Sequence, residues 1–173
     1  ALGHGSVLPT NPYSFPNVTV TVDSNGKSDR GLIVNTNEPL EADPDLHVNV
    51  GWAIGISEKK KPDDEAKGGT ITFKFDTPID SFSYNFADVE EGAHIVVNAE
   101  FPWLAATHYT ADGEATGPQT IFFSNPQDTV VVEFNGSGVI AGVDPKITSI
   151  PEIKTTGFFA IPVLALILMW RRR

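Results

Sequence analysis

Apolar and polar residues alternate with a period of two in one short run after another, and only a strand turns that pattern into one buried face. Val18-Thr19-Val20-Thr21-Val22 alternates without a break and ends in the turn residues Asp23-Ser24-Asn25-Gly26. Gly31-Leu32-Ile33-Val34-Asn35 follows, then residues 46–57, where His47, Asn49 and Gly51 alternate with Val48, Val50 and Trp52. Ile71, Phe73 and Phe75 share one face of residues 70–75, and Phe82, Tyr84 and Phe86 share one face of residues 81–86. Further strands are expected over 94–99, 107–111, 120–124, 129–135 and 139–143. Turn signals punctuate them at Asp76-Thr77-Pro78, Glu91-Gly92, Asp112-Gly113, Asn125-Pro126 and Asn135-Gly136. No amphipathic helical stretch interrupts this rhythm. It predicts an all-β fold: an antiparallel β-sandwich of about nine or ten strands, jelly-roll or immunoglobulin-like.

The C-terminus breaks the pattern. Residues 157–170 read GFFAIPVLALILMW, without a charge, and Arg171, Arg172 and Arg173 close the run. As a helix this run spans about 21 Å at about 1.5 Å per residue, against a hydrocarbon core of about 30 Å. Lys154 and Arg171 can snorkel to the headgroups, so a single pass is feasible. The anchor is expected to present Phe158, Phe159, Leu164, Leu166, Leu168 and Trp170 to lipid. The arginines are expected on the cytoplasmic side by the positive-inside rule. The expected organisation is an extended arm over 1–17, an extracytoplasmic sandwich over 18–145, a tether over 146–156 and an anchor over 157–173. Ala1-Leu2-Gly3-His4-Gly5 carries no leader, and an exported body needs one, so the numbering is expected to begin after a cleaved signal peptide.

Composition narrows the chemistry. The 173 residues hold no cysteine, which excludes disulfides, thiolate metal sites and cysteine nucleophiles. The formal charge is −10, and before Ile150 there are 8 basic and 21 acidic residues, a net −13. Nucleic-acid binding needs the opposite sign, so nucleic acid is excluded as a partner. Acidic groups at Asp43-Pro44-Asp45, Asp63-Asp64-Glu65 and Asp88-Val89-Glu90-Glu91 suit a hard cation such as calcium. None matches an EF-hand spacing, so a site would have to be assembled from separate loops. Asp43, Asp45, Asp63, Asp64 and Glu65 are the candidate ligands, with a solvated acidic surface as the alternative. No other cofactor is expected. His4, His47, His94 and His108 lie in separate segments without metal-binding spacing, and no GxSxG or phosphate loop is present. No catalytic residue stands out, and a non-enzyme is expected.

The stretch Pro62-Asp63-Asp64-Glu65-Ala66-Lys67-Gly68-Gly69-Thr70-Ile71-Thr72-Phe73-Lys74-Phe75, with Thr77-Pro78 and residues 86–89, resembles bacterial exported β-sandwich proteins of the PEP-CTERM or alternative C-terminal anchor type. Residues 135–141 resemble the closing strand of the same domains. The tail, Ile150-Pro151-Glu152-Ile153 followed by the apolar run and arginines, resembles their sorting signal with its second proline missing. The resemblance implies a surface protein of the envelope or matrix that binds carbohydrate or calcium. The departure from the motif favours a helix retained in the membrane. The anchor and the missing catalytic residues point instead to a periplasmic accessory subunit bracing a larger membrane complex, such as a photosynthetic or respiratory assembly. Its expected partners are other transmembrane subunits, the lipid bilayer and a basic soluble protein steered by the acidic body.

Overall fold

The computed structural model describes residues 2–26, 29–41, 43–57, 66–97, 107–111 and 113–147. Among them the chain forms nine strands: β1 (Ser6–Val7), β2 (Tyr13–Phe15), β3 (Val18–Ser24), β4 (Gly31–Asn35), β5 (Trp52–Ile56), β6 (Gly69–Ala87), β7 (Ala93–Val96), β8 (Gln119–Phe134) and β9 (Val139–Lys146). Every pairing is antiparallel.

The long strands β6 and β8 run side by side as a bent ribbon and organise the rest. Residues 69–75 of β6 pair with β3, and β2 lies beyond it; residues 131–134 of β8 pair with β7. Residues 81–87 of β6 pair instead with β9, followed in order by β5, β4 and β1. The bend brings the two sets of strands across one core, an arrangement consistent with a β-sandwich. Val20 and Val22 of β3, Ile71 and Phe73 of β6, Ile54 and Ile56 of β5 and Ile140 of β9 meet in that core. Phe82, Phe86 and Phe134 are fully buried there, each worth about 1.5–3 kcal/mol relative to an exposed ring.

Neighbouring residues on a strand face opposite ways, so β4, β5 and β9 carry a second apolar face. Leu32, Val34, Ala53, Val139 and Ala141 form it, and the connection between β4 and β5 folds Leu40 and Leu46 over it. That connection includes a short 3-10 turn, Pro44–Leu46. Thr36 fastens it at the base: its hydroxyl donates to the Gly51 carbonyl and accepts from the Val50 amide, both at 2.9 Å.

The strands depart from the sequence expectation in four places. Residues 46–51 lie in the covering loop, and the strand begins only at Trp52. His108 makes an isolated bridge to Ala93 where a strand over 107–111 was expected. Asp76-Thr77-Pro78 and Asn125-Pro126, read as turns, lie inside β6 and β8. Pro78 falls where the ladder shifts register between Lys74 and Ile79, and Pro126 where it shifts between Ile79 and Ser81, so their missing N–H groups cost no ladder bond. The N-terminal arm is not a free extension either. β1 pairs with β4 and β2 with β3, and Leu8 is 1% exposed. Asn11 substitutes for a strand there: its side-chain amide donates to the Val22 carbonyl at 2.6 Å and accepts from the Val22 amide at 2.9 Å.

Among the described residues no helix is long and apolar enough to cross a membrane. The expected anchor, with Phe158, Phe159, Leu164, Leu166, Leu168, Trp170 and the three arginines, lies outside the described residues, as do residues 148–156 of the tether.

Candidate functional site

The loop that covers the second apolar face brings its acidic residues to the end of β6. Asp43 precedes the 3-10 turn and its amide donates to the Leu40 carbonyl at 3.1 Å. Asp45 lies within that turn, half-buried. Asp88 follows the last residue of β6 with a left-handed backbone, φ +54°, and its amide donates to the Glu114 carbonyl at 3.2 Å. Asp43 and Asp88 are 6% and 4% exposed. One carboxylate oxygen from each of the three residues lies within 4.8 Å of the others.

Such a trio carries an electrostatic demand. Two unit charges about 5 Å apart repel by about 3 kcal/mol at an effective dielectric of about 20. A divalent cation would convert those repulsions into attractions, and carboxylates are the oxygen donors calcium prefers. Calcium takes about six to eight oxygens, so the trio supplies a part of a coordination shell. The chemistry on offer is a clasp. A cation held here would tie the covering loop to the end of β6.

The sequence placed Asp43 and Asp45 among the candidate ligands, and the structure brings those two together. Asp63, Asp64 and Glu65 lie outside the described residues. Asp88 is the member of the trio that pattern reading passed over, although it opens the third acidic group. The usable signal was its place directly after an apolar strand end, Phe86-Ala87. Its companions Glu90 and Glu91 are exposed and take no part in the trio.

The histidines are engaged elsewhere. His4 accepts from the Asn35 amide through Nδ1 at 3.1 Å and donates from Nε2 to the Pro39 carbonyl at 3.3 Å, which pins the N-terminal arm beside β4. His94 faces Glu133 across the β7–β8 ladder at 2.9 Å. His108 Nε2 lies 3.3 Å from the hydroxyl of Tyr84, which is 3% exposed. Burial pushes the Tyr84 phenol up from its ordinary value and the His108 imidazole down, so both groups are held neutral. That direction suits a hydrogen-bonded core pair. An activated phenolate or an imidazolium acid would need the opposite shifts.

No family model, curated protein or solved structure matches the chain.

Proposed function

We propose that the chain is a non-enzymatic, single-pass membrane protein whose jelly-roll or immunoglobulin-like sandwich stands on the extracytoplasmic side. In this reading it is a structural or accessory subunit of a larger membrane complex, with a photosynthetic or respiratory assembly as the kind of host. The observation that carries it is how the sheet hands the chain on. β9 ends at Lys146, and the sequence then runs through a short tether into the uncharged residues 157–170 and three arginines. The body also leaves a contact surface open: Phe122 on β8 is 79% exposed, and Ile121 and Phe123 beside it are only partly buried. Transmembrane neighbours, lipid and a basic soluble protein are the partners this reading expects. Gentle solubilisation of native membranes is the test. Migration with a large assembly is the expected result; migration alone would remove the accessory role.

The convergence of Asp43, Asp45 and Asp88 favours a second reading, a free-standing envelope or matrix protein that binds carbohydrate or calcium. It agrees with the resemblance to exported sandwich proteins with C-terminal anchors. Calcium bound only by the native state raises stability by about 2.7 kcal/mol at a hundredfold excess over Kd. The melting point of the full chain should therefore rise between chelator and millimolar calcium. Asp88→Asn should abolish the rise, and Asp128→Asn, on exposed β8, should keep it. Identical curves with and without calcium would exclude the clasp.

A further inference from the structure

We propose that the outer edge of β8 pairs with the same edge of a second copy of the chain, antiparallel and centred on Phe122, so that two bodies share one continuous sheet. Residues 119–122 of β8 pair with residues 81–84 of β6, and among the described residues no strand pairs with the opposite edge of that segment. The other edge strands β1, β2 and β7 are only two, three and four residues long. A bare strand edge offers a row of unpaired N–H and C=O groups, and proteins blunt it with short strands, charges or proline. Here the blunting is confined to the ends: Pro118 and Pro126 bound the segment, and residues 115–127 carry no charge. The body before Ile150 is net −13, and a second copy meets least repulsion where the surface is uncharged.

The prolines also set the register. Residues 119–125 lie between them, and their midpoint is Phe122. Two such segments laid antiparallel with full overlap bring Phe122 opposite Phe122, Ile121 opposite Phe123 and Thr120 opposite Ser124. These are an aromatic pair, a β-branched–aromatic pair and a hydroxyl pair, all kinds of cross-strand neighbour that stabilise a ladder. The faces agree as well. Exposure alternates from Gln119 to Ser124, with Thr120, Phe122 and Ser124 exposed and Ile121 and Phe123 packed partly against the core. Self-pairing therefore joins Ile121 and Phe123 of the two copies on the inner face, and covers Phe122, 79% exposed, on the outer one. A two-fold axis through one patch closes the assembly at a dimer. A ladder this short buries less than the roughly 1,600 Å² of a standard interface, so the dimer is weak and dissociates on dilution. The proposal goes beyond the accessory reading by giving the surface open at Phe122 a definite occupant. It holds or fails whether or not the body belongs to a larger complex.

The chain has no cysteine of its own, so single introduced thiols report the pairing without ambiguity. Residues directly opposite each other in an antiparallel ladder have Cα atoms about 4.5–5.5 Å apart, within reach of a disulfide. In the full chain, Phe122→Cys should therefore give a disulfide-linked dimer under mild oxidation. Thr120→Cys mixed with a size-tagged Ser124→Cys should give the mixed dimer, with Phe122 still in place. Thr120→Cys alone should give at most a tenth as much, because its own counterpart lies about 14 Å along the ladder. Equal yields from all three would mean random collision and would overturn the proposal. No dimer from Phe122→Cys and none from the mixture would overturn it too, and leave the edge to an extended segment of a different protein. A further variant keeps both thiols of the mixture. Adding Phe122→Asp to each partner sets two like charges opposite each other and should lower the mixed yield at least tenfold. An unchanged yield would show that the two copies do not meet along this edge.

Discussion

Tyr84 and His108 show how a polar pair can be part of a core when both members stay neutral. The Tyr84 ring stacks near Phe82 and Phe86, and the His108 ring lies against Phe86 with centroids 5.2 Å apart. Charging either group would place an ion among these rings. The folded His108 pKa lies below its unfolded value, so below about pH 6.5 the unfolded chain binds more protons and stability falls with pH. The folded Tyr84 pKa lies above its unfolded value, so its contribution is complete below pH 10 and is lost as the pH rises above it. The melting point should therefore form a plateau from about pH 6.5 to 10. His108→Gln, which cannot acquire the charge, should flatten the acid side measured by thermal scans from pH 7 to 5. An unchanged acid slope in that variant would assign the loss to other groups.

At the scale of strands, the parity of the apolar residues carries information that pattern reading used only in part. In β6 the inward residues are odd at Ile71, Phe73 and Phe75 and even at Phe82, Tyr84 and Phe86. β8 makes the same change, from odd at Ile121 and Phe123 to even at Val130, Val132 and Phe134. A regular strand that changes parity must turn its apolar set to solvent, so a bulge has to absorb the odd residue. The structure places the register shifts there, between Lys74 and Ile79 and between Ile79 and Ser81. The sequence reading saw both parities but met Pro78 and Pro126, took them for turn residues and split each strand in two. Proline signals a missing ladder bond, and a bulge supplies that as well as a turn does. The short edge strands β1 and β2 were illegible for a different reason: two or three residues are too few to show a period, and Leu8 and Asn11 are held by contacts distant in sequence. Asp43 and Asp45 were legible because they are adjacent, whereas Asp88 joins them only through the fold. Deleting Thr77 should remove the odd residue, so that Phe82, Tyr84 and Phe86 stay on the inner face without a bulge and the sheet signal in circular dichroism is kept. Thr77→Ala, at an exposed position, should change stability by no more than about 0.5 kcal/mol. Loss of the sheet signal in the deletion would show that the bend itself, and not only the parity, requires the extra residue.

For the molecule as a whole, the question is how much of the fold depends on the tail. Among the described residues, the strand pairings, two apolar clusters and the acidic trio give the body a core of its own. Its net charge of −13 before Ile150 works toward solubility once the apolar run is gone. A chain ending at Ile147 should therefore be soluble and keep the sheet signal of the full protein. A chain ending at Thr156, which lacks only residues 157–173, should behave in the same way. Circular dichroism and thermal scans of the two truncated chains decide the matter: loss of the sheet signal in both would show that residues 157–173 belong to the core and not to a membrane.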